Sequence, residues 1–179
     1  MLALAPELTY VHEPFNLSDA EDLSTIQPDH WFEYVTPEAA SQHEDAFERI
    51  LAFQYPLWQR AKEFSVHFAF RRALYFWWQR QRGSIPLIKD PIALCSAEWL
   101  AEQFDLNVLV MVRHPAAFVG SLKKKEWAFP FGDLLEQPQL LEAYFQPYVE
   151  QIERFVIEEQ PIVDQAALAW ILMYTVVSK

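Results

Sequence analysis

Short apolar runs that end in a charged tip alternate along this chain with longer stretches whose apolar residues recur every three to four positions. Residues 9–12 (Thr9, Tyr10, Val11, His12) read as a short strand stopped by Glu13 and Pro14. Residues 85–90 read as a second strand, with Lys89 and Asp90 at its tip before Pro91. The run Val108, Leu109, Val110, Met111, Val112 is the strongest strand pattern, β-branched and continuous as in a parallel strand covered on both faces. Helical spacing predicts a helix over 37–54, opened by Pro37 with Glu38 beside it. It predicts another over 56–81, opened by Pro56 and stopped at Gly83. The aromatic side of that second helix, with Phe64, Phe68, Tyr75 and Trp78, is broad enough to be largely buried. Further helices are predicted over 97–104 with Ser96 as cap, 115–125 behind Pro115, 138–158, and 161–177. Residues 15–37, with Asp19, Glu21, Asp22 and Pro28, read as a long surface loop, and 129–132 as a break. Strands alternating with helices predict an α/β fold with a parallel sheet.

Composition narrows the class. At 179 residues and 52% hydrophobic content the chain suits one domain with a real core. A formal charge of −11 argues against nucleic acid as a partner, because phosphate backbones select cationic surfaces. A single cysteine, Cys95, excludes an internal disulfide and fits a reducing cytoplasm, the expected location. The five histidines are scattered, so no metal site is predicted. The apolar start before Pro6 lacks a basic flank and is too short for a signal peptide. No stretch reaches the roughly 20 apolar residues of a membrane helix. Oligomeric state is not readable.

The chemistry concentrates at strand tips. Arg113 follows the 108–112 run, Pro115 opens the next helix, and Ser121 stands eight residues after the arginine. An arginine is a permanent fork of donors and a helix N-terminus is electropositive, so this arrangement suits an anion. Ligands of open α/β sheets sit beyond the carboxyl ends of the strands. His114 caps or orients the turn. Lys123, Lys124 and Lys125 either steer an anion or form a solvated helix end. Trp127, Phe129 and Phe131 either cover an acceptor or simply pack. Lys89 and Asp90 either position a substrate or brace a loop through an ion pair.

Together, His12 to Asn16, Lys89-Asp90-Pro91, the 113–122 motif and the 127–131 aromatic tract resemble bacterial sulfotransferases that use 3′-phosphoadenosine 5′-phosphosulfate (PAPS). The resemblance spans most of the chain, and the Arg113/Ser121 pair is its most specific part. It implies a P-loop-like fold, a three-layer parallel sheet with helices on both faces, here incomplete. It implies that Arg113 and Ser121 hold the 3′-phosphate of the nucleotide. It implies sulfuryl transfer to an acceptor hydroxyl on a carbohydrate or glycolipid, without a metal. Carbohydrate sulfotransferases carry a similarly placed Glu-Pro element, which makes Glu13 the base. Aryl and steroid sulfotransferases use a histidine, which makes His12 the competitor. Alternation along a strand lets only one of the two face the cleft. Lys89, Asp90 and Trp127 are weaker substrate-contact candidates.

The departure from that family is the phosphosulfate loop, a Gly/Ser/Thr-rich turn that none of Gly83, Gly120 or Gly132 supplies. Residues 1–6 look like the tail of the helix that follows this loop, and the family's C-terminal part also lacks a counterpart. The expectation is therefore one truncated domain over 1–179, weak or inactive alone. The alternative is a non-catalytic remnant that binds a nucleotide or protein partner. A nucleotide-kinase relative fits less well, because no Walker lysine is present.

Overall fold

A computed structural model describes residues 5–18, 23–36 and 38–179. Asp19, Glu21, Asp22 and Pro37 of the predicted loop and helix start, and most of the 1–6 stretch, lie outside the described residues. The protein is mixed α/β and mainly helical, with a two-stranded parallel sheet among the described residues. It forms two compact units, Met1–Asp29 with Thr36–Ala93, and His30–Val35 with Leu94–Lys179.

The first unit holds the sheet. Strand β1 (Leu8–His12) pairs in parallel with β2 (Ile85–Lys89), in register from Leu8 opposite Ile85 to His12 opposite Lys89. Parallel neighbours need a long crossover, and three helices supply it: α1 (Ala40–Leu51), α2 (Leu57–Glu63) and α3 (Val66–Gln81). β1 buries Thr9 and Val11 and turns Tyr10 outward, so one of its faces is covered. Pro86 has no N–H to give, which suits a strand with an open edge. In the core of this unit Phe15 packs on Phe47, and Phe53 stacks on Phe76. Gly83, at φ +68°, makes the reversal from α3 into β2 in a backbone region that side chains disfavour.

The expected helix over 56–81 is two helices. Phe64 is extended, and the Ser65 hydroxyl accepts from the Phe68 N–H, so a serine N-cap restarts the chain as α3. The aromatic side of α3 is a second correction. Phe64, Phe68, Tyr75 and Trp78 are exposed; the buried stripe is Ala69, Phe76 and Gln79.

The second unit is helical: α4 (Ala97–Phe104), α5 (Pro115–Lys125), α6 (Phe131–Leu135), α7 (Pro138–Leu140), α8 (Val149–Ile157) and α9 (Ile162–Val177). Its core gathers Leu134, Leu140, Phe145, Ile152, Leu168 and Leu172 around Cys95. Burial pushes the Cys95 thiol up to about 12. Phe129 and Phe131 lie in this core, so of the three aromatic residues in the 127–131 tract only Trp127 remains exposed. The predicted helix 138–158 is broken, passing through a π turn at Leu141–Phe145 and a 3-10 turn at Gln146–Tyr148. Pro147 lacks the N–H that a continuous α-helix requires. Ser96 does not cap α4 with its side chain; its hydroxyl donates to the Glu33 carbonyl and accepts from the Val35 N–H.

The largest correction is the 108–112 run. It forms no strand among the described residues, and its residues are 41–80% exposed. No backbone hydrogen bond joins it to another described residue. An apolar β-branched pattern makes a strand only where a neighbour takes its N–H and C=O groups.

Candidate functional site

Two clusters carry the predicted site residues, one in each unit. In the first, the parallel register brings the tips of β1 and β2 together. The Glu13 N–H donates to the Lys89 carbonyl (3.0 Å), extending the ladder one step beyond His12. Glu13 then leaves the strand at φ +37°, a conformation costing an ordinary L-residue roughly 1–2 kcal/mol. The bonds around it over-determine this geometry. The Lys89 ammonium pairs with Glu13 Oε1, Asn16 Nδ2 donates to Oε2 (2.9 Å), and the Asn16 N–H donates to the Glu13 carbonyl (3.0 Å). Burial pushes the Glu13 carboxyl up, but the bonds from Lys89 and Asn16 outweigh it and hold its pKa below the ordinary value. Glu13 is thus ionised at neutral pH.

His12 sits beside it, with Nδ1 3.8 Å from Glu13 Oε1, beyond hydrogen-bond reach. That nitrogen is buried and has no hydrogen-bond partner among the described residues. Asp90 braces the corner. Its carboxylate accepts from the N–H groups of Phe15 (2.7 Å), Ile92 (2.9 Å) and Ala93 (3.2 Å). Burial raises its pKa despite these three bonds. Asp90 therefore fixes the loop after β1 to the turn after β2, while Lys89 holds the carboxylate of Glu13.

In the second unit, Arg113 and Ser121 are carried by α5 and the residue before its cap. His114 is the N-cap, its Nδ1 accepting from the Ala116 N–H (3.2 Å), and Pro115 occupies the first helical position. The three lysines end the helix, where its dipole favours cations. Both backbone groups of Arg113 are held by α9. Its N–H donates to the Tyr174 hydroxyl (2.6 Å), and its carbonyl accepts from Trp170 Nε1 (2.9 Å). Trp170 and Tyr174 stand four apart on one face of α9, their rings 4.5 Å between centroids. The Arg113 side chain is exposed, and no carboxylate among the described residues pairs with it. Ser121 is half-buried, about 9 Å further along the axis than Pro115.

The structure thus brings together His12, Glu13, Lys89 and Asp90 at one pair of strand tips. Arg113, Ser121 and the exposed Trp127 belong to the other unit. Three residues were missed from sequence. Asn16 carries no signal in the sequence beyond its place at the end of the 12–16 segment. Trp170 and Tyr174 fall in the predicted 161–177 helix with no site role, although a polar indole or phenol group in an apolar helix needs a partner, and that need is the available signal. Among the described residues no cluster of histidine, cysteine, aspartate and glutamate is placed to hold a metal ion. No family model, curated protein or solved structure matches this chain.

Proposed function

We propose that this chain is a PAPS-dependent sulfotransferase homologue of the three-layer P-loop-like class, acting on an acceptor hydroxyl of a carbohydrate or glycolipid. The observation that carries the reading is Arg113. Its backbone is anchored by Trp170 and Tyr174 while its guanidinium stays exposed, at the electropositive start of α5. In this reading Arg113 and Ser121 hold the 3′-phosphate of the nucleotide. Glu13 takes the acceptor proton as the oxygen attacks sulfur. The bond from sulfur to the 5′-phosphate oxygen breaks, and adenosine 3′,5′-bisphosphate leaves. With no glycine-rich turn to stabilise the sulfuryl group, turnover by these 179 residues is weak.

The test is thermal unfolding of the full chain with and without adenosine 3′,5′-bisphosphate. Ligand at 100-fold its Kd adds about 2.7 kcal/mol, a rise of about 5–11 °C for a chain of this size. Arg113→Ala removes the rise; a wild-type chain with no rise overturns the reading. One observation favours a second reading, nucleotide binding without turnover: both carboxylate oxygens of Glu13 are already engaged. Under it the thermal shift persists, and no sulfuryl transfer to sugar acceptors is detected even when Lys89→Met releases Glu13.

A further inference from the structure

The α2–α3 hairpin shows solvent a surface that the sulfotransferase reading does not use. α3 buries only Ala69, Phe76 and Gln79. With about 100° of rotation per residue, Val66, Phe70, Leu74 and Trp77 fall next to one another on the opposite side, and all four are exposed. Phe68, Tyr75 and Trp78 continue that surface, so the apolar and aromatic arc covers about 200° of the helix. On α2, Trp58 is 81% exposed.

The charge of this segment is opposite to that of the chain. Six of the 14 Lys and Arg residues but only one of the 25 Asp and Glu residues fall within residues 57–82. The segment therefore carries +5 within a chain of −11, leaving −16 on the remainder. Arg72 stacks on Phe76 (4.8 Å), and Arg82 lies over Trp78 (4.5 Å) while donating to the Pro6 carbonyl. Lys62 on α2 and Arg71 and Arg80 on α3 are exposed, Arg71 within the aromatic arc and Arg80 just beyond its edge.

A seam for a partner helix is a narrower apolar stripe, about 100° wide. A broad face of indole, phenol and phenyl rings interleaved with cations is matched instead by the headgroup layer of a bilayer. Amphipathic rings are favoured there, and long cationic side chains reach outward to phosphates. The charge selects an anionic surface, and the −16 remainder is screened beyond a Debye length of about 8 Å. No helix among the described residues is long and apolar enough to cross a membrane. We propose that the α2–α3 hairpin docks on an anionic lipid bilayer, with the exposed rings of α3 at headgroup depth and Lys62, Arg71 and Arg80 against lipid phosphates.

The experiment is co-sedimentation of the full chain with phosphatidylcholine vesicles, with and without phosphatidylserine. Binding to the phosphatidylserine vesicles is expected, with a blue shift of tryptophan emission and loss at high salt. The double variants R71E/R80E and F70S/W77S each weaken it by about tenfold or more. These positions are exposed, so circular dichroism of both variants stays that of the wild type. Absence of binding overturns the proposal, as does equal binding to both vesicle types. F70S/W77S binding as tightly as wild type overturns the insertion of the rings. A dimer in sedimentation equilibrium that F70S/W77S dissolves, without vesicle binding, assigns the face to a second copy of the chain and overturns the lipid assignment.

Discussion

The tip of β2 and the end of the 108–112 run look alike in sequence, an apolar run closed by a basic residue, yet they are built in opposite ways. At β2 the backbone is paired with β1, and side chains brace the corner: Asp90 takes three N–H groups, and Lys89 holds Glu13. At the end of the 108–112 run the backbone has no strand to pair with among the described residues. Arg113 is fixed through its N–H and C=O by Tyr174 and Trp170, and its side chain is left unencumbered. A residue held by its backbone can present any side chain to a ligand. One held by its side chain has already committed that side chain. The first arrangement leaves Arg113 free to bind, while the second ties Asp90 and Lys89 into the corner itself.

The sharpest way to break this contrast is to place a charge in each run. Val11→Asp puts a carboxylate at a position with 0% exposure and costs about 3–5 kcal/mol, because nothing pairs with it. Val110→Asp changes stability by no more than about 0.5 kcal/mol. Urea midpoints measure both, and equal losses would mean that the 108–112 run is covered in solution. A smaller effect is expected at the tips. Asp90→Ala removes a charged acceptor of three backbone bonds and costs about 1.5–3 kcal/mol, whereas Arg113→Ala leaves the midpoint within about 0.5 kcal/mol. A destabilising Arg113→Ala would show that its side chain has a structural partner.

The smallest effect is acid dependence. The folded pKa of Glu13 is lowered, so its contribution is fully present above the unfolded carboxylate value and is lost as pH falls through the folded one. Asp90 has the opposite sign: its raised pKa makes stability fall as pH rises from the unfolded value through the folded one. The Glu13 part is therefore read as wild type minus Glu13→Gln. Because Lys89 is 54% exposed, that difference stays below about 1 kcal/mol.

What could be read in the sequence was whatever local chemistry determines. β1, β2, the Pro115 start of α5 and the body of α9 follow from runs, caps and prolines, and the charged tip at Glu13, Lys89 and Asp90 follows from where the strands stop. Two misreadings had visible signals: Ser65 is a good N-cap inside the supposed single helix, and Pro147 cannot sit in the middle of another. The 108–112 run and the outward rings of α3 had none. Whether a strand finds a neighbour, or an aromatic face a cover, is a property of the rest of the fold, and periodicity cannot report it. The same holds for the backbone clamp on Arg113, which joins residues 57 and 61 positions apart.

Cys95 is the only sulfhydryl in the chain, and it lies in the core of the second unit with its pKa near 12. It is therefore a clock already installed. At neutral pH a thiol reagent can reach it only during moments when that core opens, so the labelling rate counts those moments. When reclosing outpaces the reagent, the rate reads the population of the open form; when it does not, the rate reads the opening step itself. One atom thus keeps time for one of the two units and stays silent about the other.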